Sequence, residues 1–517
     1  MEGRLSMSEI KNEIKTNPRA MGVLMPIFSL PSNYGIGTLG EEAKRFADCL
    51  EKSKVTYWQV LPVGPTSYGD SPYQSFSSFA GNPYLIDLDM LIKDGYLDEQ
   101  QVRETYWCES PEVIDYGNLY YRRWTILFRA CNEFKKNPEP EYETFCRKNA
   151  YWLDDYTAFM AIKDDNDGKP WYMWEDDLKF KKPAAVAKVC ERVSGIIEDY
   201  KIIQYFFDKQ FKEFKAYLEE KKIKLIGDIP IYVAYDSVEV WSNPSLFELD
   251  KKLNQVKVAG CPPDAFDENG QLWGNPIYKW SLMKKDGYSW WKKRLGRTLA
   301  MYDTVRLDHF RGFASYYSIP AGDENAKNGK WVKGPGMDFF NEMKKEFGEM
   351  DIIAEDLGLI TPDVTELLEE TGYPGMKVIQ FAHDSDARNL YLPHNYEKNC
   401  VVYTGTHDND TTCGWFFKMD DRTRNRVRDY YNLSGEEGYT WGTIRGAMMS
   451  TANLCVIPMQ DLLDLDSWAR INQPSTTGTN WGWRMKQGAY TEQISSKLAY
   501  LNELFGRAPW EEESVQQ

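Results

Sequence analysis

Eight short apolar runs constrain this chain more than any other feature: each is rich in β-branched or aromatic residues and bounded by glycine, proline or a polar cluster. They occupy residues 22–28, 57–63, 224–232, 304–310, 351–356, 376–381, 400–407 and 454–460. An unbroken apolar run of this length reads as a strand buried on both faces, as in a parallel sheet, whereas a half-exposed strand would alternate. Helical patterns lie between many of them. The clearest are 41–52, 202–221 with Phe206, Phe207, Phe211 and Phe214 on one stripe, and 362–370 behind Thr361 as N-cap. Strand and helix alternating eight times predicts an α/β chain folded as a (β/α)8 TIM barrel.

The spacing of the runs is uneven. Residues 64–223 separate the second from the third and carry helical patterns at 118–135, 151–163 and 184–210, which predicts a mostly helical insertion packed on the barrel. Residues 233–303 separate the third from the fourth. With Gly260-Cys261-Pro262-Pro263-Asp264 and Trp273-Gly274-Asn275-Pro276 they read as a loop-rich insertion overhanging the active site. No internal repeat or low-complexity linker divides the chain, so residues 1–517 are expected to form a single catalytic barrel domain. Only residues 461–517 follow the eighth run, too few for another helix and a C-terminal β-domain.

Charge and composition exclude several classes. A formal net charge of -16, with no long basic run, repels a nucleic-acid backbone. No stretch reaches about 18 apolar residues, and Met1 to Met7 lacks the apolar core of a signal peptide, so a cytoplasmic protein without a membrane partner is expected. The nine cysteines form no C-x-x-C pair, which predicts reduced thiols mostly in the core rather than a disulfide framework or a zinc site. Aromatic residues reach 15%, with 18 Trp and 33 Tyr. These serve either as core filler or as platforms for sugar rings, whose C–H faces pack on aromatic planes.

In a (β/α)8 barrel the chemistry lies at the C-terminal ends of the strands, so polar residues ending apolar runs carry the information. Asp228 lies within Ile226-Gly227-Asp228-Ile229-Pro230. The fourth run holds Arg306-Leu307-Asp308-His309-Phe310, the fifth ends Ala354-Glu355-Asp356-Leu357-Gly358, and the seventh ends Thr406-His407-Asp408-Asn409-Asp410. One carboxylate among 78 is by itself a solvated surface group. Four strands delivering carboxylates to one rim, beside Arg306, His309 and His407, make an acidic catalytic cleft instead. Glycosidic cleavage needs a carboxylic acid to protonate the leaving oxygen and a carboxylate to support the anomeric carbon. Asp308 and Glu355, on adjacent strands, can supply that pair. A separation of about 5–5.5 Å would make the reaction retaining, with Asp308 attacking and Glu355 serving as acid and then base; a wider gap would make it inverting.

At these motifs the chain resembles the 4-α-glucanotransferases called amylomaltases or disproportionating enzymes, relatives of the α-amylases. The resemblance spans nearly the whole chain. It rests on Tyr34-Gly35-Ile36-Gly37, Asp70-Ser71-Pro72-Tyr73-Gln74, Ala80-Gly81-Asn82-Pro83-Tyr84, Gly227-Asp228-Ile229-Pro230, Pro262-Pro263-Asp264, Trp273-Gly274-Asn275-Pro276, Arg306 to Gly312, Ala354 to Gly358 and Thr406 to Thr411, in that order. It implies Asp308 as nucleophile, Glu355 as general acid/base and Asp408 as a third carboxylate bonded to sugar hydroxyls, with Arg306 as counter-charge to Asp308. It further implies Ser71, Tyr73, Asp228, Asp264, Trp273, Arg306, His407 and Asn480 as substrate-binding residues, with Tyr73 stacking on the sugar. The expected substrates are α-1,4-glucans, and the expected assembly is a monomer or homodimer; no metal or cofactor is called for. The chain departs from the family after the eighth run, where Asn-Leu-Pro-Gly-Thr is replaced by Asn472-Gln473-Pro474-Ser475-Thr476.

Four rival readings are weaker. Gly35-Ile36-Gly37-Thr38-Leu39-Gly40 fits G-x-G-x-x-G, but Pro31 to Tyr34 intervene after the strand, and the second run ends Leu61-Pro62-Val63-Gly64 without an acidic residue for a ribose. Asp164-Asp165-Asn166-Asp167-Gly168 hints at an EF-hand, yet Lys163 and Trp174 occupy its first and twelfth positions, so an acidic turn is expected. An α-amylase-type hydrolase would share the carboxylates but usually carries a C-terminal β-domain. A non-catalytic glucan-binding protein would have no use for an acid/base at Glu355.

Overall fold

A computed structural model of the protein describes residues 19–67, 69–263, 268–358, 360–476 and 478–509. Among the described residues twelve strands form two sheets. They are β1 (Ala20–Leu24), β2 (Tyr57–Gln59), β3 (Lys224–Pro230), β4 (Lys257–Cys261), β5 (Gln271–Pro276), β6 (Thr304–Asp308), β7 (Ser315–Pro320), β8 (Lys330–Lys333), β9 (Ile352–Ala354), β10 (Gly375–Val378), β11 (Cys400–Tyr403) and β12 (Leu454–Pro458). Strands β1, β2, β3, β6, β9, β10, β11 and β12 pair in parallel and close a barrel, β12 returning to β1. All eight begin within two residues of the apolar runs. The runs overshoot the strands at their C-terminal ends, where the chain leaves the sheet and forms the rim.

The helices follow from the same patterning. Glu41–Lys52 buries Ala43, Phe46, Ala47 and Leu50 on one stripe, with Glu41 and Glu42 in its first turn and Lys52 in its last. Between β2 and β3 lie Tyr116–Phe134, Pro140–Asp165, Pro183–Arg192 and Ser194–Glu220, the last burying Phe206, Phe207, Phe211 and Phe214. The barrel interior is filled rather than hollow: Tyr403 donates across it to Gln59 Oε1 at 2.9 Å, and both residues are buried.

Three expectations need correction. The segment 233–303 is not simply loop: β4 and β5 join β7 and β8 in an antiparallel sheet of order β5-β4-β7-β8, and Trp280–Lys285 and Ser289–Met301 are helical. Thr361 occupies the N-cap of Pro362–Thr371 without capping it; its hydroxyl instead accepts from Arg311 Nη2 at 3.4 Å. The cysteines are all free, but only Cys131, Cys400 and Cys455 are buried, so most of the nine lie in partly exposed positions rather than in the core. The glycines of G-x-G-x-x-G serve packing: a Cβ on Gly37 would lie 2.0 Å from the Ile27 carbonyl, and one on Gly40 would lie 2.1 Å from Asp87 Oδ2. The Asp87 carboxylate stands at the N-terminal end of the following helix, where a dinucleotide fold would seat phosphate.

The acidic turn behaves as read, closing the helix Pro140–Asp165, with Asp164 accepting from Tyr200 and Asp165 paired with Arg192. Among the described residues no helix is long and apolar enough to cross a membrane, and no group of three or more His, Cys, Asp or Glu side chains is arranged to hold a metal ion.

Candidate active site

Register places the rim residues. In the β3–β6 pair Asp228 lies opposite Arg306 and Pro230 opposite Asp308; in the β6–β9 pair Leu307 lies opposite Ala354. Side chains alternate along a strand, so Arg306 and Asp308 share a face with Asp228 beside them, and Glu355 emerges one residue past Ala354. The groups form a chain of contacts. Tyr73 donates its hydroxyl to Asp228 Oδ2 at 2.8 Å, Arg306 Nη1 meets the same oxygen at 2.7 Å, and Arg306 Nη1 reaches Asp308 Oδ1 at 2.9 Å. Asp228 has no exposed side-chain surface, whereas 27% of Asp308 is exposed. Asp228 therefore meets the cleft only through Tyr73 and Arg306, and Asp308 presents a free edge to it.

The electrostatics follow from burial. Removing Arg306 from water would by itself lower its proton affinity, but Asp228 and Asp308 raise it well above the ordinary value, leaving a permanent cation between two carboxylates. Glu355 has the opposite balance. Burial first, and then the Asp308 charge, push its carboxyl up to about 8, although Arg306 and the backbone N–H groups of Leu357 and His309 oppose the rise. Those N–H groups reach Glu355 Oε1 at 2.9 Å and Oε2 at 2.7 Å. One rim thus pairs a cation-supported carboxylate with a carboxyl that keeps its proton near neutral pH, the pairing an acid-assisted displacement requires. Asp356, the next residue, is turned away; its Oδ1 accepts from the Met376 N–H at 2.7 Å and pins the fifth barrel strand to the sixth.

Across the cleft, His407 and Asp408 follow β11. Burial lowers the His407 proton affinity, leaving a neutral ring whose Nε2 lies 3.3 Å from Asp408 Oδ1. Asp408 is the most open of the three carboxylates, with 46% of its side chain exposed. Tyr73 stacks on the His407 ring at 5.0 Å and 16°, so one of its faces is already covered by protein. Ser71 lies in the Tyr73 loop, its hydroxyl accepting from the Tyr73 N–H at 3.3 Å. Trp273 packs edge-on against His309, with centroids 4.8 Å apart, and so borders Asp308. Asn480 is engaged elsewhere: Oδ1 accepts from the Gln473 N–H at 3.0 Å and Nδ2 donates to the Thr476 carbonyl at 3.0 Å, which closes its own loop. Asp264 lies outside the described residues.

A family profile described as 4-alpha-glucanotransferase matches residues 25–491. The chain belongs to the 4-alpha-glucanotransferase family. It is 48% identical over 485 residues to a 4-alpha-glucanotransferase of Clostridium butyricum, covering 93% of this chain and 100% of that one. It is 44% identical over 492 residues to one from Streptococcus pneumoniae, covering 95% and 97%. Its fold superposes on an amylomaltase of Streptococcus agalactiae solved in complex with acarbose, with a TM-score of 0.93 and 39% identity, covering 95% of this chain and 100% of the other. As a 4-alpha-glucanotransferase the protein is a transferase enzyme.

In this 4-alpha-glucanotransferase, two features of the site escaped the sequence reading. Asn472 donates Nδ2 to Asp408 Oδ1 at 2.6 Å and its backbone N–H to the His407 carbonyl at 3.0 Å, while Arg470 donates to the Asp408 carbonyl and, at 2.7 Å, to that of Asn472. The eighth-strand loop therefore holds the seventh. The available signal was Asn472 itself, which stands where the family motif begins. The second feature, the pair of backbone donors on Glu355, depends on backbone dihedrals that composition does not reveal.

Proposed function

We propose that the protein transfers a segment of an α-1,4-glucan to the 4-hydroxyl of an acceptor glucose or glucan by a retaining double displacement. Asp308 attacks the anomeric carbon as Glu355 protonates the departing glycosidic oxygen, so one C–O bond forms as another breaks and a glycosyl ester on Asp308 results. Glu355, now ionised, takes the proton of the incoming 4-hydroxyl as that oxygen displaces Asp308, and two inversions restore the starting configuration. Asp408, held by Asn472, bonds the ring hydroxyls of the reacting sugar, with His407 and Tyr73 beside it. Arg306, Trp273 and Ser71 complete the wall, with Asp228 acting through Tyr73 and Arg306.

One observation carries this reading: a half-buried Glu355 that keeps its proton up to about 8, one strand away from an Asp308 paired with Arg306 at 2.9 Å. The acarbose complex of the Streptococcus agalactiae amylomaltase supports a glucan-shaped cleft. Nine free thiols suit a reducing compartment, and we place the enzyme in the cytoplasm acting on maltodextrins and on starch or glycogen fragments.

Maltotriose is the discriminating substrate. A ladder of longer maltodextrins with glucose is the expected product; maltose and glucose alone would make water the acceptor and refute the transfer. Asp308→Asn and Glu355→Gln are each expected to lower kcat by about 10³-fold or more, and substantial activity in either variant would mean that the pair is misassigned.

A further inference from the structure

Between Asp308 and Glu355 the chain passes through His309, whose φ of 53° lies in the left-handed region that few side chains adopt. That turn sends its N–H sideways to the neighbouring strand, onto Glu355 Oε2 at 2.7 Å. The crossing is stitched on both sides, Phe310 donating to the Glu355 carbonyl and Glu355 to the Leu307 carbonyl, each at 3.0 Å. The imidazole takes no part in this. Burial, and then Arg311, lower it to about 3, so the ring is neutral, and its buried Nε2 meets no hydrogen-bond partner. The ring packs edge-on to the Trp273 indole at 4.8 Å and 86°, and it stands against Gly312, where a Cβ would come within 3.1 Å of its Cδ2.

We propose that His309 is a positioning residue: its left-handed backbone, wedged between Trp273 of β5 and Gly312, aims the N–H that orients Glu355 and so ties the insertion strand to the acid/base. This rests on the assignment of Glu355 above. Glu355 holds four lone-pair sites, of which the Leu357 and His309 donors occupy one on each oxygen, so its carboxyl plane and the place left for the transferable proton are both fixed. A glycine would permit the turn but would give Trp273 nothing to press on; a histidine tolerates φ > 0 and fills the space.

The test separates backbone from imidazole. The charged and titratable groups facing Glu355 are Asp308 and Arg306 from β6, Arg311 from the following turn and Tyr391 from the loop after β10, and none is altered by substitution at His309. The lost N–H favours the ionised carboxylate, so removing it moves the alkaline limb of kcat/KM upward. His309→Val, whose branched side chain disfavours the left-handed turn, is expected to lower kcat about tenfold with KM little changed and to raise the limb by about one pH unit. His309→Ala shifts it in the same direction by less, which keeps the test readable if the valine variant folds poorly. His309→Asn, which tolerates the turn but fills the space less well than the ring, shifts the limb least of the three, and Trp273→Ala moves it upward while also raising KM. An unmoved limb in the valine and alanine variants, or an asparagine shift as large as that of valine, overturns the inference. An active Glu355→Gln would defeat the underlying assignment instead; an inactive one with a flat His309 series defeats only this inference.

Discussion

Glu355 gathers most of the electrostatic tension of the site into one side chain. Its ordinary value is 4.5 and its folded value about 8, with burial the largest cause and Asp308 the next. Between those values the folded state binds the proton more tightly than the unfolded chain, so the group's contribution to stability is lost as pH rises through that window. Glu355→Gln removes the titration while keeping the shape. The melting temperature of the variant, relative to wild type, is expected to be higher at about pH 9 than at about pH 5 by roughly 2 °C or more. Any mismatch of the amide with the His309 and Leu357 donors is common to both conditions and cancels. Thermal denaturation monitored at the two pH values decides it, and an unchanged difference would mean that the carboxyl is not held protonated.

At the level of elements, the loop from β11 to the helix Thr412–Lys418 carries His407 and Asp408, and buried Asp461 clamps both of its ends. Its carboxylate accepts from Thr404 Oγ1 at 2.6 Å, from the Thr412 N–H at 2.7 Å and from Thr412 Oγ1 at 2.6 Å. Asp461→Ala leaves three buried donors unpaired and is expected to destabilise the fold by about 3 kcal/mol, with a raised KM for maltotriose as the loop loosens. Asp461→Asn should recover part of both, since its oxygen still accepts. Denaturant unfolding and steady-state kinetics measure the two effects. The same loop shows what a sequence discloses. The eight barrel strands were legible because burial on both faces leaves an unbroken apolar run, and Asp308, Glu355 and Asp408 stood out as candidates because they lie at the C-terminal ends of such runs. The β5-β4-β7-β8 sheet was not: β5 starts with four partly exposed or exposed residues, buries only Asn275 and Pro276, and contains glycine and proline. Asn472 and Asp461 were missed for a related reason, since a polar residue past the eighth strand gains its meaning only when β11 and β12 lie side by side. Asn480, carried over by motif alone, spends its amide on its own loop.

For the whole molecule, the seam between β12 and β1 is the join on which closure depends. Arg507 is fully buried at its base and donates to the carbonyls of Met448, Ser450, Ala452 and Ala20, and Arg19 adds bonds to Ser450, Met448 and Phe505. Arg507→Met strands several buried carbonyls and is expected to destabilise the fold by about 3 kcal/mol, lowering the melting temperature by several degrees. Because the seam lies at the opposite end of the barrel from the catalytic rim, kcat measured well below the melting temperature should stay within about twofold of wild type. A calorimetric scan with a parallel activity assay checks both halves of this expectation.

A ring whose first strand pairs with its last also has a history in time. As the chain leaves the ribosome, seven strands can assemble in order, yet β1 and β11 each keep an unpaired edge until β12 has been made. Asp408 likewise lacks its Asn472 partner until that moment. The nascent enzyme therefore spends most of its synthesis as an open sheet with its candidate active site unfinished, the interval in which a chaperone has edges to shield.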